Sequence, residues 1–256
     1  MTFLQACILG LVEGITEFLP ISSTGHLIVT SRLLGVTDGE FARSFDIAIQ
    51  LGAIFAVVML YARTLVLNWK VLTRVFAAFI PTATLGLIFY KTIKHFLLGS
   101  ETVVIVSLFL GGVFLIFFEK AIASKPVSKT SLESISFRQA VLVGLFQSIS
   151  MIPGVSRAAA TIVGGLWLGL PRKTIVEFSF LLAVPTMLAA TALDLLKTEI
   201  AWTPRETGLL ATGILVSFFV AMIAIRFLLR FIQKHDFKPF GYYRIAAACL
   251  FWFLLK

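Results

Sequence analysis

Charge is what this chain has least of. Only 14% of its 256 residues are Asp, Glu, Lys or Arg, whereas 59% are apolar, and the mean hydropathy is +0.98. A water-soluble domain carries about 25% charged residues, so the polar residues here are too few to clothe a surface that meets water on every side. Much of the surface must face lipid. That excludes a soluble enzyme, a disordered tail and a nucleic-acid-binding module, although a net charge of +9 would suit the last. In a membrane protein, surplus Lys and Arg mark cytoplasmic loops and contacts with anionic headgroups.

Cysteine is equally scarce. Cys7 and Cys249 lie in apolar segments at opposite ends of the chain, without the spacing of a disulfide framework or a zinc site, and they read as buried thiols. No Lys or Arg precedes Arg32, and Glu13 and Glu17 interrupt the first apolar stretch. The N-terminus therefore lacks the form of a secretory signal, and the protein is expected to begin at or near Met1. There is also no G-x-x-x-x-G-K-[ST] loop, no H-E-x-x-H and no dinucleotide fingerprint.

What is present is a series of apolar stretches. Six of them, near 45–61, 75–90, 101–118, 175–195, 207–227 and 241–255, have the length and low charge of full transmembrane helices. Two others, 3–35 and 137–170, are too long for one helix. Each is broken near its middle, by Pro20-Ile21-Ser22-Ser23-Thr24-Gly25-His26 and by Pro153-Gly154-Val155-Ser156-Arg157. The residue before a proline avoids the helical region, and Ser, Thr and Gly restart helices well. Both stretches are expected to be re-entrant helix–loop–helix hairpins. Irregular backbone at membrane depth is tolerated only where it is buried in protein or lines a wet cavity, which already points to a site.

The two halves resemble each other. Gly10-Leu11-Val12-Glu13 parallels Gly144-Leu145-Phe146-Gln147; with one residue of slippage Pro20 matches Pro153 and Ser23 matches Ser156, and Leu34-Gly35 then falls beside Leu168-Gly169. Each half, about 1–120 and about 136–256, would hold one hairpin and three spans. An odd number of spans inverts the second copy relative to the first. The expected fold is thus an all-α polytopic membrane protein, one integral membrane domain, with an inverted-topology repeat of six full transmembrane helices plus two re-entrant hairpins. Threading the spans puts most basic residues, including Arg63, Lys70, Arg74, Lys120, Lys125, Lys129, Arg172 and Lys173, on one side. That side is expected to be cytoplasmic, with both termini and the first hairpin's mouth facing outward.

An ionisable residue at membrane depth costs roughly 2.5–3.5 kcal/mol on the gentlest scale, so it reads as functional by default. Glu13 and Glu17 are four apart and share one helix face. Either one of them holds a proton, or a hard cation such as Mg2+ or Ca2+ lies between them. The break after Pro20 opens a returning half-helix, whose free N–H groups and partial positive charge favour an anion. The second break does the same and adds Arg157, whose planar fork suits phosphate. If the two breaks converge, Ser22, Ser23, Ser156, Thr161, His26 and Arg157 would face the two carboxylates, a setting for a phosphate or diphosphate with a bridging metal.

Other residues have plainer readings. His235 sits in a basic loop. Gly10/Gly14 and Gly165/Gly169 have the small-x-x-x-small spacing of close helix packing. Asp46 and Glu177 stand at span entrances, and the 25 Phe residues suit lipid contact or core packing.

The stretch Glu13-Gly-Ile-Thr-Glu17-Phe-Leu-Pro20-Ile-Ser22-Ser23-Thr24-Gly25-His26 resembles the first motif of the bacterial undecaprenyl-diphosphate phosphatases, the bacitracin-resistance family. Pro153-Gly154-Val155-Ser156-Arg157, running on to Thr161, resembles their second, and Glu177 to Pro185 reads like the sequence that follows it. One departure is Ala158, where the family pattern has Ser. The resemblance implies a plasma-membrane lipid pyrophosphatase that converts undecaprenyl diphosphate to undecaprenyl phosphate and inorganic phosphate, recycling the wall-polymer carrier, dependent on a divalent cation and protective against bacitracin. It implies Glu13 and Glu17 on the metal or on proton transfer, His26 as acid–base or activator, and Ser23 or Ser22 as a nucleophile, with metal-bound water the other route. Arg157 would neutralise the phosphoryl group, with Ser22, Thr24, Gly25, Gly154, Ser156 and Thr161 binding the substrate. Partners are the polyprenyl diphosphate and membrane lipids; a homo-oligomer is compatible with the sequence. The rival reading is a flippase of phosphorylated polyprenyl lipid, since broken helices in inverted repeats are common in transporters.

Overall fold

In the computed structural model of the chain, residues 1–36, 39–89, 100–123, 130–197 and 203–255 are described, and among them all regular structure is helical. The connections carrying Lys91, Lys94, Lys125 and Lys129 lie outside these residues, as does the end of the span expected to reach position 90.

The first stretch is two helices, α1 (Phe3–Thr16) and α2 (Ser23–Leu33). The second is α8 (Phe137–Ser148), a short 3₁₀ turn at Ile149–Met151, and α9 (Arg157–Trp167). Between and after them come α3 (Glu40–Ala48), α4 (Gln50–Leu60), α5 (Ala62–Leu67), α6 (Trp69–Ile88), α7 (Glu101–Ile122), α10 (Arg172–Lys197), α11 (Pro204–Phe231) and α12 (Lys238–Leu255). Five helices are long and apolar enough to cross a membrane: Glu40–Leu60, with a local break at Ile49, α6, α7, α10 and α11. The sixth expected span is the 18-residue α12, made less apolar by Lys238, Tyr242, Tyr243 and Arg244.

The two hairpins are built from the same local devices. Each opens with a capping box, Thr2 with Gln5 and Ser136 with Gln139, which satisfies two of the helix's unpaired N–H groups. Each returning helix starts after a serine of positive φ, Ser22 at 70° and Ser156 at 77°, and ends at a positive-φ glycine, Gly35 or Gly169. These pairs stand in one constant register along the chain. The slippage inferred from the prolines is therefore absent: the backbone sets Ser22, not Ser23, against Ser156. Gly169 serves as a helix terminator, while Gly165 packs tightly on Ile175.

The hairpins are held by helices from the other half of the chain. α1 lies on α11 and α8 on α6, while α7 pairs with α12. A Cβ on Gly10 would stand 2.6 Å from the Gly213 carbonyl, and one on Gly14 2.7 Å from that of Ser217; Gly144 is pressed against the Ala78 carbonyl in the same way. Backbones so close gain dispersion, and at the α6–α8 contact hydrogen bonds add to it. Thr82 on α6 donates to the Gly144 carbonyl at 2.9 Å and accepts from Gln147 Nε2 at 3.0 Å. At one end of the molecule Glu119 takes both arms of the Arg172 guanidinium and the Phe237 N–H, joining α7, α10 and the turn before α12.

Phenylalanine serves both expected purposes. Phe18, Phe45, Phe178, Phe180 and Phe237 are fully buried, whereas Phe109, Phe114, Phe117, Phe219 and Phe227 cover the outside. The cysteines depart from expectation: Cys249 is exposed and Cys7 half-buried, because both fall on outward-facing helix sides where an apolar solvent makes burial unnecessary.

Candidate active site

The two hairpin tips meet at a cavity of about 140 Å³. The first hairpin contributes Glu17, Ser22, Ser23 and Thr24; the second contributes Ser150, Pro153, Gly154, Ser156 and Arg157. Gln50, at the α3–α4 break, and Met187 of α10 complete the wall.

Glu17 caps the C-terminus of α1 and is the hub. Ser23 Oγ donates to its Oε2 at 2.6 Å. Arg157 reaches its Oε1 through Nε and Nη2, each at 3.3 Å, in an ion pair whose side chains are only 10% and 7% exposed. Arg157 Nη1 donates to the Ser179 carbonyl at 2.9 Å, and Ser179 Oγ shares a 2.6 Å hydrogen bond with Thr161. Thr161 is thus not at the cavity; it holds the residue that holds Arg157. The arginine also lies over the Phe18 ring.

The backbone at the tips is strained. Non-glycine residues seldom adopt positive φ, and holding one there costs about 1–3 kcal/mol. Ser156 recovers part of this through Oγ, which accepts from the Ala159 N–H at 3.2 Å. Ser22 makes no such cap. Its carbonyl instead accepts from His26 Nδ1 at 2.7 Å, and with that nitrogen protonated the Tyr243 hydroxyl donates to Nε2 at 2.7 Å. Both ring nitrogens of His26 are thereby engaged away from the cavity, which the ring does not line. Gly25 also stands back, facing Val104, and a Cβ on Gly154 would strike the Val104 carbonyl.

Glu13 is fully buried, and neither carboxylate oxygen has a hydrogen-bond partner. Glu17, Asp46 and Arg157 lie within its electrostatic reach. At the equivalent place in the second hairpin, Gln147 donates its amide to Thr82 and Thr186. A buried carboxylate without donors fits a cation or a proton. Among the described residues no three His, Cys, Asp or Glu side chains converge, so a hard divalent ion here would take Glu13 and Glu17 from the protein and its remaining oxygens from phosphate and water. The residues fit such an ion.

Sequence reasoning missed Gln50, brought to the cavity by a helix break with no proline or glycine to announce it. It also missed Arg244, whose signal, a lone arginine in an apolar helix, was legible. Glu177 is elsewhere, in an open groove with Asn68, Glu133 and Lys173.

A buried ion pair and two strained helix starts thus surround a polar cavity, in a helical protein with five helices long and apolar enough to cross a membrane. The chain belongs to the family "Bacitracin resistance protein BacA", whose model matches residues 6–250. It is 49% identical over 245 residues to a protein of Aquifex aeolicus, covering 96% of this chain and 95% of that one. Against a protein of Bdellovibrio bacteriovorus the identity is 47%, covering 100% and 97%, and against one of Wolinella succinogenes 45%, covering 100% and 99%. Each of the three is named undecaprenyl-diphosphatase.

Proposed function

We propose that this protein is a membrane pyrophosphatase that hydrolyses undecaprenyl diphosphate to undecaprenyl phosphate and inorganic phosphate, returning the carrier to wall synthesis and protecting against bacitracin. One observation carries the reading: between two helix starts, Ser23 donates to one oxygen of Glu17 while Arg157 binds the other. A hydroxyl on a buried carboxylate is an activated nucleophile, and the guanidinium beside it is the complement of a phosphoryl group.

In this reading the terminal phosphate sits at the cavity, bound by Ser22, Thr24, Ser156 and helix-start N–H groups, while Gly25 and Gly154 let the two tips close on Val104. Ser23 Oγ attacks the terminal phosphorus as its proton passes to Glu17. The bond to the bridging oxygen breaks and undecaprenyl phosphate leaves. Glu17 passes that proton to the departing undecaprenyl phosphate, then takes another from the water that attacks the phosphoserine and returns it to Ser23 Oγ as phosphate is released. Arg157 offsets the charge on the transferred group throughout, held by Ser179 and Thr161. His26 acts through Ser22, fixing the strained corner from which α2 starts. A divalent cation, Mg2+ or Ca2+, held by Glu13 and Glu17, would supply charge neutralisation and orientation of the diphosphate.

The constant register of the hairpin caps and the exchange of partners, α1 on α11 and α8 on α6, support a single domain of two inverted repeats with both hairpins re-entrant. The excess of basic residues on one side of the threaded spans supports an orientation in which the cavity opens outward.

The test is phosphate release from a long-chain polyprenyl diphosphate by purified protein in detergent, with Mg2+ or Ca2+ and then with EDTA, alongside Arg157→Ala. Metal-dependent release that disappears in the variant is expected. Substrate binding without release would replace this reading with a flippase.

A further inference from the structure

Arg244 heads the fully buried side chains of the described structure, at 1% exposure, yet it lines no part of the cavity. It enters from α12 through a slot left by two glycines of α7. A Cβ on Gly112 would stand 2.9 Å from Arg244 Cβ, and one on Gly111 2.8 Å from its Cζ.

Its guanidinium donates only to backbone carbonyls. Nε reaches Leu108 at 3.3 Å and Nη2 reaches Ser107 at 3.2 Å, both on α7. The other contacts go to the two tips: Nη1 to Pro20 at 3.2 Å and Val155 at 2.9 Å, and Nη2 to Gly154 at 2.9 Å. One side chain therefore ties the first hairpin to the second immediately before Ser156 and two residues before Ser22, the strained corners from which both returning helices start.

Among the described residues no carboxylate lies within ion-pair distance of it. A buried cation without a counter-charge is costly even when fully hydrogen-bonded. The tips it grips are those that line the cavity, and a diphosphate bound there would bring the negative charge that the protein withholds.

We propose that Arg244 is a positioning residue for the diphosphate: it turns the tip carbonyls of Pro20, Gly154 and Val155 away from the anion, sets the separation of the two helix starts, and lends its charge to the field at the cavity. The inference rests on the diphosphate reading above. It assigns Arg244 two separable effects, charge on binding and geometry on turnover.

The experiment measures inorganic pyrophosphate binding by titration calorimetry, and kcat on a polyprenyl diphosphate, for the full-length protein in detergent. Arg244→Met should weaken pyrophosphate binding about tenfold or more, while Arg244→Lys, which keeps the charge and loses the fork, should bind within about threefold of wild type but turn over about tenfold more slowly. Glu119→Gln, which loosens the distant Arg172 clamp, serves as a stability control: it should lower the melting temperature and leave pyrophosphate binding unchanged. Unchanged binding in Arg244→Met, or wild-type kcat in Arg244→Lys, overturns the proposal, as does an equal binding loss in Glu119→Gln. Should Arg244→Met fail to fold, the lysine variant alone decides. A wild type that binds pyrophosphate but releases no phosphate sinks the phosphatase reading, and the binding loss in Arg244→Met still supports the role of Arg244.

Discussion

Ser23 and Arg157 are the first residues of α2 and α9, and they meet on the same carboxylate: Ser23 at 2.6 Å on Glu17 Oε2 and Arg157 at 3.3 Å on Oε1. Because Ser22 and Ser156 precede them in one register, the two hairpins offer a hydroxyl and a guanidinium from corresponding places. Corners with matching caps and positive-φ serines have been given unlike chemistry, and the centre forms only where both arrive.

Ser23→Ala removes the hydroxyl and little else. Glu17 loses one of its donors, worth about 2 kcal/mol for a bond to a charged group, so the melting temperature should fall by only a few degrees. Phosphate release should fall about a thousandfold. A variant with near-normal turnover would rule out the serine route and leave direct attack by water.

Glu17→Gln should damage both fold and activity, because it leaves Arg157 buried without its anion. Removing one partner of such a pair costs about 3 kcal/mol or more. The double variant Glu17→Gln/Arg157→Met should regain part of that stability in a detergent melt and none of the phosphate release.

Glu13→Gln tests the cation. In EDTA the variant should melt higher than wild type, since an unpartnered buried carboxylate is gone. Adding Mg2+ or Ca2+ should raise the wild-type melting temperature, with about 2.7 kcal/mol expected at a hundredfold excess over Kd, and should leave the variant unmoved. Equal shifts in both proteins would place the ion elsewhere.

Ser22→Gly probes the strained corner. Glycine adopts positive φ freely, and Ser22 has no capping hydrogen bond to lose. Thermal unfolding should show a gain of about 1 kcal/mol. The same change at Ser156 forfeits the bond to Ala159, so its gain should be smaller or reversed.

The hairpins were legible because Pro20 and Pro153 interrupt stretches too apolar to be loops, and Glu13, Glu17 and Arg157 because charge inside such stretches needs a reason. The offset between Ser22 and Ser23 was not legible: prolines mark where helices stop, whereas the restart was fixed by backbone geometry that no residue type announces. His26 looked like an acid–base group in a motif rich in hydroxyls, and only the positions of Tyr243 and the Ser22 carbonyl reveal where its nitrogens go. Arg244 does not stand out in the hydropathy of the sequence, because one arginine scarcely alters that of its stretch. Its five backbone acceptors come from three separate parts of the chain, and no local pattern brings them together.

The glycine face of α1 rests on α11, which is synthesised after both hairpins. The hairpin carrying Glu13 and Glu17 must therefore wait in the bilayer for its support until the second hairpin and the helices that follow it have been made. Biogenesis is divided into insertion and a late docking step, and neither half is a self-sufficient unit that could be cut free, swapped or evolved alone.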